Sequence, residues 1–280
     1  MLLAALLGVG SLVASAQAPS PSGSLAVAAT GSRESTGTPS EESTVTSPIA
    51  LIYNGKVAAE GCPEALAELV EALGMKVVYF DNPSKLPKRL KGATFCMIGG
   101  TEDDLSPLLK QFKPKIRSAL TKWVRAGGVY VGTCGGGYVA SKGWDESWGT
   151  VKALALVPVW TEAWVENPDP MIITVTWNGT KRTIYYQYGP VFLVKKKHPG
   201  IKVIARYSDK RPAVLVSNLG KGRVVVCGPH PEADETWLED DPPPTHASRW
   251  RPTRDLALAL LRSVLPTAAA VATRSGVPPS

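Results

Sequence analysis

The stretch Gly127 to Ser141, GGVYVGTCGGGYVAS, restricts the fold more than any other part of the chain. Val129 to Thr133 reads as a buried strand that runs straight into Cys134. Gly132 precedes that cysteine closely, and three glycines follow it. A thiol kept for packing belongs within an apolar run. Here it occupies the most flexible segment of the chain. Flanking glycines permit a sharp turn and a close approach to the sulfur. Gly132-Thr133-Cys134-Gly135-Gly136 has the form G-x-C-x-G, the thiol counterpart of the strained strand-turn-helix elbow G-x-S-x-G. A helix starting there would set positive partial charge beside the sulfur and favour its thiolate.

The elbow needs a sheet to hold it, and the surrounding pattern supplies one. Ile49 to Tyr53, Lys76 to Phe80 and Thr94 to Ile98 read as strands. Between them Pro63 opens a helical pattern with Leu66, Leu69, Val70 and Leu73 on one face, closed by Gly74. A second helix starts at Pro114, with Ile116, Leu120, Trp123 and Val124 at helical spacing, and stops at Gly127-Gly128. Strands alternating with helices imply a mostly parallel sheet with helices on both faces, an α/β fold. Ligands in such sheets sit beyond the carboxyl ends of the strands. The later sequence changes character. Met171 to Gln187 alternates apolar and polar residues around Asn178-Gly179, a hairpin signature. Strands at Ile201 to Tyr207, Pro212 to Ser217 and Arg223 to Cys227 follow, then a helix from Thr253 to Leu265. This reads as an antiparallel insertion and a return to the main sheet.

Composition sets the limits. Of 280 residues, 44% are hydrophobic and 20% charged, which suits a globular core at 49–265. Residues 1–16 are apolar and end Ala14-Ser15-Ala16, as in a secretory signal peptide, so the chain is expected to be secreted or exported. The run is too short for a membrane span, and no stable span is expected after its cleavage. Residues 17–48 and 266–280 are rich in Ser, Thr, Pro, Gly and Ala and read as a disordered linker and tail. The net charge is +7, with Lys195-Lys196-Lys197-His198 as the densest basic run. No basic-aromatic interleaving marks a nucleic-acid surface. Cys62, Cys96, Cys134 and Cys227 show no CxxC spacing, so no metal site and no cofactor is expected. In an oxidising compartment two of them could pair.

A thiol nucleophile wants a base, and the base wants an orienting group. Of three histidines, only His230 follows an apolar strand, in Gly228-Pro229-His230-Pro231-Glu232. Glu232 is placed to fix the imidazole tautomer. Gly99-Gly100 ends another strand, so the N–H of Gly100 with that of Gly135 could bind a developing oxyanion. Tyr188 and Phe192, with Gly99, could line a pocket, and Trp144, Trp148, Trp160 and Trp164 could wall it.

VYVGTCGGGYVAS and GPHPE, with FCMIGG upstream, resemble the class I glutamine amidotransferase-like superfamily, whose fold is flavodoxin-like. Within it, the chain is most similar to the biotin-protein ligase N-terminal (BPL_N) family, and YYQYGPVF (Tyr185 to Phe192) resembles that group's aromatic-Gly-Pro-Phe segment. The resemblance implies a Cys134-His230-Glu232 triad, with Gly100 and Gly135 as oxyanion donors. It implies an amide hydrolase or acyl transferase acting through a thioester on a small amide or peptide substrate. The alternatives are a non-catalytic binding or scaffold domain and a cysteine peptidase. No ligase or synthase segment is read beside the elbow, so released ammonia would have no evident acceptor.

Overall fold

The computed structural model describes residues 47–195, 198–239 and 244–266. The expected signal, nearly all of the linker, the tail beyond Pro266, and Lys196-Lys197 of the basic run lie outside the described residues.

In chain order the elements begin β1 (Ile49–Tyr53), α1 (Cys62–Glu71), β2 (Lys76–Phe80), α2 (Leu86–Arg89) and β3 (Ala93–Ile98). Next come α3 (Ser106–Gln111), α4 (Pro114–Arg125), β4 (Val129–Thr133) and α5 (Gly135–Ala140). Short strands follow: β5 (Gly143–Glu146), β6 (Gly149–Lys152) and β7 (Trp160–Ala163). The last part holds β8 (Met171–Trp177), β9 (Thr180–Tyr186), β10 (Pro190–Leu193), β11 (Ile201–Arg206), β12 (Pro212–Leu219), β13 (Gly222–Cys227) and α6 (Arg254–Val264).

Nine strands form one sheet in the order β2-β1-β3-β4-β13-β12-β11-β8-β9. The first five are mutually parallel, and the remaining four extend the same sheet antiparallel. The expected insertion therefore continues the main sheet instead of forming a separate one. Strand β1 alternates between its two faces. Leu51 and Tyr53 join one apolar layer with α4, while Ala50 and Ile52 join the other with α1 and α6. Helix α4 shows why the layers form. Ile116, Leu120 and Val124 recur every four residues on the buried side, while Lys115, Lys122 and Arg125 face solvent. In α1, Pro63 occupies the first turn and Gly74, at φ 73°, follows the end of the helix.

Two pairings were not readable locally. Strands β5 and β6 form a hairpin, and β7 pairs with β10 across 27 residues (Pro190 with Ala163). Among the described residues, no helix is long and apolar enough to cross a membrane.

The hairpin β8–β9 turns at Asn178 (φ 45°) and Gly179 (φ 86°), both in the left-handed region that a two-residue type I′ turn requires. Nothing lies within 4 Å of a Cβ built at Gly179, so a side chain there meets strain without a clash. Gly179→Val is expected to lower the free energy of unfolding by about 1–2 kcal/mol, measured by the urea midpoint at unchanged slope.

Candidate active site

The carboxyl ends of β1, β3, β4 and β13 converge, and Cys134 lies just past β4. Its backbone sits at φ 49°, ψ −111°, a conformation that non-glycine residues rarely adopt. Such geometry costs on the order of 1–3 kcal/mol and persists only where surroundings enforce it. Here the Cys134 N–H donates to the Cys227 carbonyl at 2.8 Å, and the Gly136 N–H donates to the Gly99 carbonyl at 3.0 Å. The turn is so tight that a Cβ at Gly132 would lie 2.3 Å from the Gly136 oxygen, and one at Gly136 only 1.9 Å from the Ile98 oxygen. These two glycines are required by close approach of backbone to backbone. Because α5 has only six residues, the N–H groups of its first turn matter more to the sulfur than a long helix dipole.

His230 leaves the end of β13 and is pinned from behind. Its N–H donates to the Tyr185 carbonyl at 2.9 Å, joining it to β9. The Tyr185 ring meets the imidazole edge-on at 5.7 Å, and Trp237 packs at 5.2 Å. Nδ1 lies 3.0 Å from Glu232 Oε1. That fixes Nδ1–H as the donor and leaves Nε2 for the cleft, which Cys134 also lines. Glu232 is fully buried, and Oε1 also accepts from Thr133 Oγ1 at 2.6 Å. Burial alone would push the imidazole toward its neutral form. Interaction with Cys134 and Glu232 outweighs it and raises the His230 pKa.

The oxyanion expectation meets a complication. Gly100 follows β3 beside His230, but the sulfur of Cys62, at the start of α1, lies close against it. A Cβ at Gly100 would sit 2.6 Å from that sulfur and 3.0 Å from His230 Cε1. Burial lifts the Cys62 thiol well above the usual range, and the charge of Glu232 adds to it. Gly135 opens α5, so its N–H has no acceptor within the helix, and the Thr101 side chain lies against it. Cys134 itself donates to the Gln187 carbonyl at 3.3 Å. Cys62, Thr133 and Gln187 were missed from sequence. Only Thr133 carried a signal, as the residue immediately before the nucleophile position.

All four cysteines are free and buried. Above Cys134 opens a cleft of about 910 Å³. Tyr188 lines it, as expected, and so does Trp144. Phe192 does not. It lies on β10, whose first three residues are buried, and its ring packs against Gly137 beneath the elbow. Gly99 is likewise buried, against Cys62 and Leu66. Trp148 is 72% exposed, Trp160 faces a different cleft, and Trp164 stacks on Tyr207 at 4.5 Å. Among the described residues no group of side chains could hold a metal ion.

A mostly parallel sheet carries a strained cysteine elbow and a buried His-Glu pair at the carboxyl ends of its parallel strands. The fold matches two solved structures. One is a glutamine amidotransferase (TM-score 0.52, 18% identity, 82% of this chain and 99% of that one). The other is PurLQS from Thermotoga maritima (TM-score 0.53, 16% identity, 78% and 100%). The family model "Biotin-protein ligase, N terminal" matches residues 50–152 and 167–258, and the chain belongs to that family. It is 27% identical over 210 residues to the biotin–protein ligase of Schizosaccharomyces pombe, covering 65% of this chain and 33% of the ligase. The chain thus spans about a third of the length of that curated relative.

Two outcomes test this geometry. Removing a negative neighbour withdraws support from the imidazolium, so both Glu232→Gln and Cys134→Ser should lower the pH at which His230 titrates. Carbon-13 histidine labelling reads this directly, since the chain has three histidines. Gly136→Ala should lose more than about 2 kcal/mol of stability through the backbone clash, measured by chemical denaturation.

Proposed function

We propose that this protein is a cysteine-dependent amide hydrolase or acyl transferase that works through a thioester on Cys134. The observation that carries the reading is the strained Cys134 elbow sharing one cleft with a buried imidazole whose Nδ1 meets a fully buried carboxylate at 3.0 Å. The thiolate attacks the amide carbonyl and forms the C–S bond, and the oxyanion takes N–H donation from Gly135 and Gly100. Collapse breaks the C–N bond, and the leaving amine takes the proton held at His230 Nε2. His230 then accepts a proton from water, or from an acceptor amine, as that nucleophile attacks the thioester and releases Cys134. Glu232 keeps its charge throughout and holds the ring. The apolar segment 1–16 supports export of the mature domain.

A reactive glutamine analogue such as 6-diazo-5-oxonorleucine, and a panel of amide and peptide probes, should label Cys134 in the wild type and not in Cys134→Ala. Intact mass and peptide mapping read this. Labelling that is unchanged in Cys134→Ala overturns the reading.

One observation favours a binding or scaffold domain instead: the Cys62 sulfur crowds Gly100, 2.6 Å from where a Cβ there would sit. If that contact only obstructs an otherwise competent site, Cys62→Ala should speed acylation of Cys134. If the domain is non-catalytic, no acyl-enzyme forms in either protein.

A further inference from the structure

The cleft over Cys134 carries charge of the opposite sign to the chain. The sequence has a formal charge of +7, yet the cleft wall holds eight carboxylates and, among the described residues, no Lys or Arg. Glu162 is matched by Arg211 at 2.5 Å. No ion pair links the others to a cation among the described residues, and Glu60, Glu102, Asp103, Asp145, Glu166 and Asp169 are all exposed to the solvent that a ligand would displace. Glu146 accepts from Trp144 Nε1 at 2.7 Å, and Glu166 from the Tyr188 hydroxyl at 3.3 Å. These bonds orient the carboxylates without neutralising them. Among the described residues the only basic side chain lining the cleft is His230, and its Nδ1 is already held by Glu232 Oε1 at 3.0 Å. Aromatic rings from Tyr138, Trp144, Tyr185, Tyr188 and Trp237 complete the wall.

A concave site lined by one sign of charge concentrates ligands of the other sign. Aromatic faces add attraction for ammonium and guanidinium groups. A free α-amino acid such as glutamine brings a carboxylate that finds no counter-charge here. We infer that the ligand of this cleft is cationic: an amide or peptide carrying an ammonium or guanidinium group near the scissile carbonyl and no free carboxylate. As a statement about substrate this rests on the acyl-transfer reading, and as a statement about binding it does not.

Two measurements on the full chain test it. Calorimetry should find L-argininamide bound at least about tenfold more tightly than L-glutamine, both in the wild type and in Cys134→Ala. The difference should shrink as salt rises. It should also fall several-fold in Glu102→Gln/Asp103→Asn/Glu166→Gln, whose circular dichroism should match the wild type. Equal affinity for the two ligands, or an unchanged ratio in the triple variant, overturns the inference. Second, the methanethiosulfonate reagent bearing a trimethylammonium group should modify Cys134 faster than the one bearing a sulfonate, by about tenfold beyond their ratio on 2-mercaptoethanol. Peptide mapping separates Cys134 from Cys62. The reaction forms a mixed disulfide and releases methanesulfinate, so it requires no turnover of an amide. If neither reagent nor any amide probe reaches Cys134, the acyl-transfer reading fails while the calorimetric result still decides the charge preference. A sulfonate reagent that reacts as fast, after normalisation, overturns it.

Discussion

One carboxylate holds the site together. Glu232 Oε1 meets both Thr133 Oγ1 and His230 Nδ1, so a single oxygen ties the residue before the elbow to the imidazole. Thr133 ends β4 and His230 lies three residues past β13, and those strands are parallel neighbours. The bond therefore fixes the relative height of two strand ends as well as a side-chain pair. A buried carboxylate without partners costs several kcal/mol, and removing one member of a buried pair typically costs 3–5 kcal/mol. Here the carboxylate is matched on Oε1, and Oε2 has no partner among the described residues. The strained backbone of Cys134 sits in the middle of this arrangement, held by β13 and by the Gly99 carbonyl. Loss of the carboxylate would thus act on the elbow, not only on the imidazole.

Much of this was readable because each piece carries its own punctuation. Helices α1 and α4 announce themselves by proline at the start, glycine after the end and apolar residues at helical spacing. Strands β1, β2 and β4 are short apolar runs with observed bounds equal to those read from the sequence. Asn178-Gly179 fixes its hairpin locally. Cys134 and His230 stand out because both lie where an apolar strand meets glycine or proline. What stayed hidden depends on distance. Strands β7 and β10 have four residues each and find one another only in three dimensions. Helices α2 and α3 are too short for periodicity to register. Phe192 was read as a possible cleft residue, but β10 lies under α5 with apolar neighbours on both sides, which turns the ring into the core.

Cys62 is the most informative omission. It is 72 positions before Cys134, in a segment where the sequence suggests only a helix start. Its meaning arises because β1 and β3 are adjacent, so that the chain leaving β1 passes the Gly99-Gly100 turn. The acidic wall of the cleft escaped notice for a related reason. Its carboxylates come from segments spread between residues 60 and 169, each unremarkable alone, and the chain's net charge has the other sign.

The bond from His230 to Tyr185 has an effect beyond chemistry. Strand β9 is the last in the nine-stranded sheet, and an edge strand is where a further strand could pair. The backbone of His230 bridges to Tyr185 near the inner end of β9. Thr245 does the same for β8 through Met171 and Ile172. The imidazole turn is therefore also an edge guard. Loosening it would expose sticky backbone at the margin of the sheet, so a lesion in the GPHPE segment can reveal itself as self-association before it is noticed as lost reactivity.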